Sequence, residues 1–162
     1  MKRTTGISLL LCAALLSGCG GNPTPQTSAA AVTAAEPAPT KPTEDTKMNI
    51  IIGGKTFTAV LENNESARAF AERLPLSVNM TELNGNEKYY RLPQRLPAND
   101  SRPKEIRTGD LMLYSGDCVV LFYKDFSTQY SYTRLGRVEN PPGLAEALGT
   151  ENIHVTFTKQ KG

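Results

Sequence analysis

All five phenylalanines and all six tyrosines lie at or after Phe57, which divides the 162-residue chain into a part that can bury a core and a part that cannot. Residues 20–47 are mostly Ala, Thr, Pro, Ser and Gly, carry Pro23, Pro25, Pro37, Pro39 and Pro42, and show no apolar periodicity. Such a stretch cannot bury enough apolar surface to offset the entropy of ordering, so residues 19–47 are expected to be a disordered tether. About 28 residues of mixed flexible and polyproline character would give a reach of tens of ångströms. Residues 48–162 hold every aromatic side chain and have the size of one domain with one core.

Ahead of the tether, Lys2 and Arg3 precede a short apolar run from Ile7 to Leu16, then Ser17, Gly18 and Cys19. A run of roughly ten apolar residues is too short to span a bilayer and fits a secretory signal over residues 1–18. Leu16-Ser17-Gly18-Cys19 resembles a bacterial lipoprotein processing site, which would make Cys19 the lipidated N-terminus. The expected address is therefore the cell envelope, with the lipid bilayer as a partner through Cys19 and the domain facing periplasm or exterior. More than one acyl chain on Cys19 would make that anchoring stable.

Removing Lys2 and Arg3 leaves sixteen basic residues against sixteen acidic ones, so nothing points to nucleic acid. Cys12 leaves with the signal and Cys19 is acylated, so Cys118 has no disulfide partner in the mature chain. Flanked by Val119-Val120-Leu121-Phe122-Tyr123, it is expected to be a buried, unreactive thiol. With His154 the sole histidine, neither a metal centre nor a cofactor is expected.

Within the domain, Met48–Ile52, Gly53-Gly54 and Lys55–Leu61 read as a hairpin with a two-glycine turn, with Phe57, Ala59 and Leu61 on one face. Asn63 and Asn64 offer an N-cap to a helix over 65–74, where Ala67, Phe70, Ala71 and Leu74 share a face and Pro75 stops the run. Extended patterns follow at 76–80 and 88–92, then a polar loop containing Pro93, Pro97 and Pro103. Leu111–Tyr114 and Cys118–Tyr123 read as a central hairpin, 124–131 as a polar connection, 132–138 as a strand, 142–149 as a short helix and 153–157 as a last strand. Strands outnumber helices, so the expected class is mainly β: a closed barrel or curled antiparallel sheet with two helices covering its ends.

This order of elements resembles the cyclophilin fold, in the divergent form of the bacterial cyclophilin-like family. The likeness rests on Thr56–Leu74, similar to the strand and helix that open a cyclophilin, and on Arg134-Leu135-Gly136-Arg137-Val138 with Gly143–Leu148, similar to its Phe-Gly-Lys-Val strand and following helix. Orthodox cyclophilins isomerise prolyl bonds with an arginine in a Phe-His-Arg strand and a nearby Gln-Gly-Gly-Asp segment. This chain has neither string. The nearest counterpart is Lys88-Tyr89-Tyr90-Arg91-Leu92-Pro93, in which period-two alternation puts Tyr89 and Arg91 on one face. By that resemblance Arg91 is the candidate catalytic residue, able to assist rotation by hydrogen bonding the prolyl nitrogen.

Two polar clusters are the candidate ligand-binding surfaces. One holds Asn79, Glu82, Asn84, Asn86, Glu87 and Tyr89, the other Thr128, Tyr130 and Tyr132 within 127–133. Tyrosines beside small hydroxyl and amide groups suit recognition of a peptide or small ligand. The plain alternative is that these loops are polar because they are wet and that their tyrosines cap the core. Glu82 and Glu87 flank one loop without any residue that orients them as a carboxylate pair, and there is no Ser-His-Asp set or phosphate loop, which sets aside hydrolysis and phosphoryl transfer. The expectation is a peptide- or ligand-binding module, partnered with a peptide or envelope protein, with weak prolyl isomerisation as the rival.

Overall fold

The computed structural model describes residues 47–160. The expected signal sequence, Cys19 and the expected tether up to residue 46 lie outside the described residues. Lys47, expected as the last tether residue, instead opens the first strand, because it pairs with Val60 and its carbonyl accepts from the Gln160 amide.

The chain runs β1 (Lys47–Ile52), β2 (Lys55–Leu61), α1 (Glu65–Ala71), β3 (Leu76–Leu83), β4 (Glu87–Arg91), β5 (Glu105–Ile106), β6 (Asp110–Tyr114), β7 (Cys118–Phe122), β8 (Phe126–Ser127), β9 (Thr133–Val138), α2 (Leu144–Leu148) and β10 (Ile153–Lys159). Eight strands close into an antiparallel barrel in the order β1-β10-β3-β4-β7-β6-β9-β2, and β5 pairs with β8 as a separate two-stranded sheet. Closure leaves no barrel strand with an unpaired edge. The expected fold class, a mainly β closed barrel with two helices, is the one observed.

The first hairpin forms because both turn residues, Gly53 and Gly54, sit at positive φ, as a tight two-residue turn requires. On β1, Met48, Ile50 and Ile52 point inward and are fully buried. The helix α1 starts where Asn64 accepts a bond from the Ala67 amide at 2.8 Å, and it sends Ala67 and Phe70 into the barrel. There Phe70 meets Phe157 edge-on at 5.7 Å. The helix ends at Ala71, earlier than Pro75 alone would impose, because Glu72 and Arg73 turn away in a tighter geometry. Leu144 and Leu148 of α2 join the same interior cluster. Closure between β9 and β2 needs a glycine: a Cβ on Gly136 would lie 2.4 Å from the Val60 carbonyl oxygen.

The central hairpin β6–β7 is buried on both faces, which explains its nearly unbroken apolar sequence. Leu111, Leu113, Val119 and Leu121 face the barrel interior. Met112, Cys118, Val120 and Phe122 face outward into a second cluster with Ile106 and Tyr132. The expected polar connection over 124–131 is thus corrected: Phe126–Ser127 pairs with Glu105–Ile106, and the segment folds as a flap over the outer face of the sheet. Sequence alternation gave no hint of β5 and β8, since two residues cannot show a period.

Candidate functional site

On the outer wall, β4 and β7 pair with Glu87 opposite Phe122, Tyr89 opposite Val120 and Arg91 opposite Cys118. The two-residue repeat puts Glu87, Tyr89 and Arg91 on the outer face, while Lys88 and Tyr90 turn inward. Beside that face stands the flap carrying Phe126, Thr128, Tyr130 and Tyr132. Between them lies a cleft of about 610 Å³, lined by these residues with Asn84, Asn86, Tyr114, Cys118 and Val120. Its wall is a run of aromatic contacts. Tyr130 meets Tyr114 edge-on at 6.0 Å, Tyr114 lies 5.6 Å from Tyr132, and Tyr132 meets Phe122 edge-on at 5.6 Å.

Of the residues singled out from the sequence, Asn84, Asn86, Glu87, Tyr89, Arg91, Thr128, Tyr130 and Tyr132 come together on this lining. Two of the ligand-binding candidates do not, and their grouping with the others is corrected. Asn79 pairs across to His154 on β10, and its side chain meets the imidazole Nδ1 at 3.2 Å. That imidazole also bonds Ser77 through Nε2 at 2.8 Å. Glu82 shares the parity of the buried Val78 and Met80, so it turns toward the barrel interior. There its carboxylate accepts bonds from Lys88, from the Tyr123 hydroxyl at 2.8 Å and from the Gly85 amide at 2.7 Å.

Within the cleft the side chains differ in how far they are already engaged. Arg91 is largely exposed at the rim, and its guanidinium donates to Asp117 at 2.9 Å. Thr128 is buried and accepts from the Tyr130 amide at 3.1 Å, which braces the flap. Tyr132 is buried as a cap on the outer cluster, whereas Tyr130 stays 64 % exposed beside it. Cys118 is buried, and burial pushes its thiol up to about 11, so it is held as an unreactive thiol at ordinary pH.

Glu87, grouped by the sequence reading with the first polar cluster and with Glu82, lies in the cleft while Glu82 turns away from it. Glu87 is half-buried in the lining, and among the described residues its carboxyl has no ion pair and no side-chain hydrogen bond. Burial first, and the nearby Glu82 charge second, push it up to about 7. The signal was present in the alternation that links Tyr89 and Arg91, since Glu87 is two residues earlier on the same face. Beside it, Asn86 has a buried Oδ1 with no hydrogen-bond partner. The Tyr132 hydroxyl is pushed up by burial and, next, by Glu87. Among the described residues no group of three His, Cys, Asp or Glu side chains is placed to hold a metal ion, and no helix is long and apolar enough to cross a membrane.

Comparison with known proteins places this geometry in a family. A solution structure of the hypothetical protein AF2241 from Archaeoglobus fulgidus is similar at a TM-score of 0.51 and 17% identity, covering 72% of this chain and 95% of that one. The structure of McbB in complex with tryptophan is similar at a TM-score of 0.50 and 16% identity, over 71% of this chain but 45% of McbB. At these identities both likenesses concern the fold alone. No curated protein matches the sequence. Residues 50–158, well over half of the chain and nearly all of the barrel, match the model of the Cyclophilin-like family, and the protein belongs to that family.

Proposed function

We propose that this protein is an envelope lipoprotein, anchored through acylated Cys19, whose cyclophilin-like barrel binds a peptide or small organic ligand in the outer cleft without turning it over. The observation that carries the binding role is the aromatic-walled cleft between β4 and the flap, of a volume that suits a short peptide or a small molecule. Tyr114, Tyr130 and Tyr132 offer flat apolar contact with hydroxyl groups at low entropic cost. The sequence Leu16-Ser17-Gly18-Cys19 supports the anchor. Non-catalytic binding is supported by the missing orthodox strings and by the engagement of the Arg91 guanidinium with Asp117.

The rival reading, weak prolyl isomerisation, draws on the placement of Arg91 and Tyr89 along one cleft wall. The two readings part in a single assay: the cis–trans relaxation of short prolyl peptides with wild-type protein and with Arg91→Ala. Unchanged relaxation together with saturable peptide binding is the expected result. Acceleration that disappears in Arg91→Ala would replace the binding module with an isomerase. For the anchor, labelled fatty acid is expected to enter the wild-type chain in bacterial cells and not a Cys19→Ser chain.

A further inference from the structure

The lining of the outer cleft contains one acidic and one cationic side chain, Glu87 and Arg91. They are not partners. Arg91 is committed to Asp117, while Glu87 faces aromatic and apolar groups. The other titratable groups around Glu87 are Glu82 on β3, Cys118 on β7, Tyr123 just after it and Tyr132 on the flap, and none of these supplies positive charge. Lys88, its chain neighbour, points into the barrel and is saturated by Glu82 and two backbone carbonyls. Lys124 is exposed and outside the cleft lining, with its Nζ 5.9 Å from the Tyr123 ring centre and near the turn at Gly85. The lining thus holds one carboxyl without a donor, that of Glu87, next to Asn86, whose buried Oδ1 also has no hydrogen-bond partner. Tyrosine rings beside a carboxylate form a setting that attracts an organic cation, through the ring faces as well as the charge.

We infer that the cleft selects a ligand bearing a positively charged nitrogen on an apolar body, with the nitrogen seated at Glu87 and the body against Tyr114, Tyr130 and Tyr132. A protonated amine or the side chain of a lysine-bearing peptide has this chemistry. The inference rests on the cleft being the binding site proposed above and adds the charge class of its occupant. Seating a cation beside Glu87 favours its ionised form, so binding near neutral pH releases a proton.

The test is calorimetric titration of the full-length chain with three probes of one shape: 4-phenylbutylamine, 4-phenylbutanol and 4-phenylbutyrate. At about pH 8.5, where Glu87 is ionised and the amine is still a cation, the amine is expected to bind about tenfold or more tightly than the alcohol, with the acid weakest. That preference is expected to vanish in Glu87→Gln and to fade in the wild type at about pH 5.5, where the carboxyl is protonated. Near pH 7, heats measured in buffers of different ionisation enthalpy should reveal proton release on amine binding. Equal binding of amine and alcohol, or a preference that survives Glu87→Gln, overturns the cation inference and leaves the binding site standing. If none of the three binds, the cation inference falls, and the binding site falls with it where the prolyl peptides also show no saturable binding.

Discussion

Glu87 and Lys88 are consecutive residues of one strand, face opposite sides of it, and have been treated in opposite ways by the fold. Lys88 is fully buried in the barrel, yet its ammonium is saturated: Glu82 and the carbonyls of Gly149 and Glu151, the latter two at 2.9 and 2.7 Å, accept its three protons. The Tyr123 ring lies 5.3 Å beneath it. That arrangement ties the loop after α2 to β3 and β4 and leaves nothing to offer a visitor. Glu87 is less buried and has no side-chain partner among the described residues. A polar group that the fold completes is part of its structure, and one that it leaves incomplete on the wall of a cleft is a candidate for binding.

Breaking the inner side of this contrast is expected to have the largest effect. Lys88→Met strands the Glu82 carboxylate and two carbonyls and is expected to cost about 3–5 kcal/mol, read from urea unfolding midpoints. Replacing both partners, as Lys88→Met with Glu82→Leu, should recover much of that loss, because no charge is left without its mate. The outer side behaves in reverse. Glu87→Gln is expected to stabilise the protein by about 1–2 kcal/mol at pH 8, after allowance for partial solvent screening, and to change little at pH 4.

The two carboxylates also give opposite slopes of stability against pH. Although burial, the largest single influence on Glu82, raises its carboxyl, the bonds from Lys88, Tyr123 and Gly85 prevail and hold it below the ordinary value of 4.5. Its contribution is therefore complete above that value and disappears as pH falls through the lower folded value. Glu87 titrates near 7 when folded against 4.5 ordinarily, so its folded state binds the extra proton and stability declines as pH rises between those values. A stability maximum near the acid end of that window is expected, and Glu87→Gln should flatten only the neutral limb. The smallest effect is assigned to Tyr130→Ala, expected to stay within about 0.5 kcal/mol of wild type because the ring is largely exposed, while weakening whatever binds in the cleft.

Much of the barrel was legible because its signals are local. Gly53-Gly54 marked the first turn, Asn64 the cap of α1, and Gly149 the end of α2. The unbroken apolar run from Cys118 to Phe122 announced a strand, and only the structure showed that its second face is covered by the flap. The flap itself, with β5 and β8, is held by contacts between residues about twenty positions apart, for which no short-range pattern exists. The candidate site was legible where strand parity was followed, as at Tyr89 and Arg91, and lost where loop proximity stood in for it. Parity would have sent Glu82 inward with Val78 and Met80 while keeping Glu87 on the face of Tyr89.

The closed order of strands has a mechanical consequence. Around the ring, β1 is separated from β4 by β10 and β3 on one side and from β7 by β2, β9 and β6 on the other, so the strand at which the chain enters the barrel stands on the wall opposite the cleft. A pull on whatever precedes Lys47 is taken up first by the ladders from β1 to β2 and β10 and by the Gln160 bond to the Lys47 carbonyl. Tension of that kind would load the far wall in shear, two strands or more away from β4, so the proposed binding cleft would stand apart from the path by which a tether ahead of Lys47 transmits force.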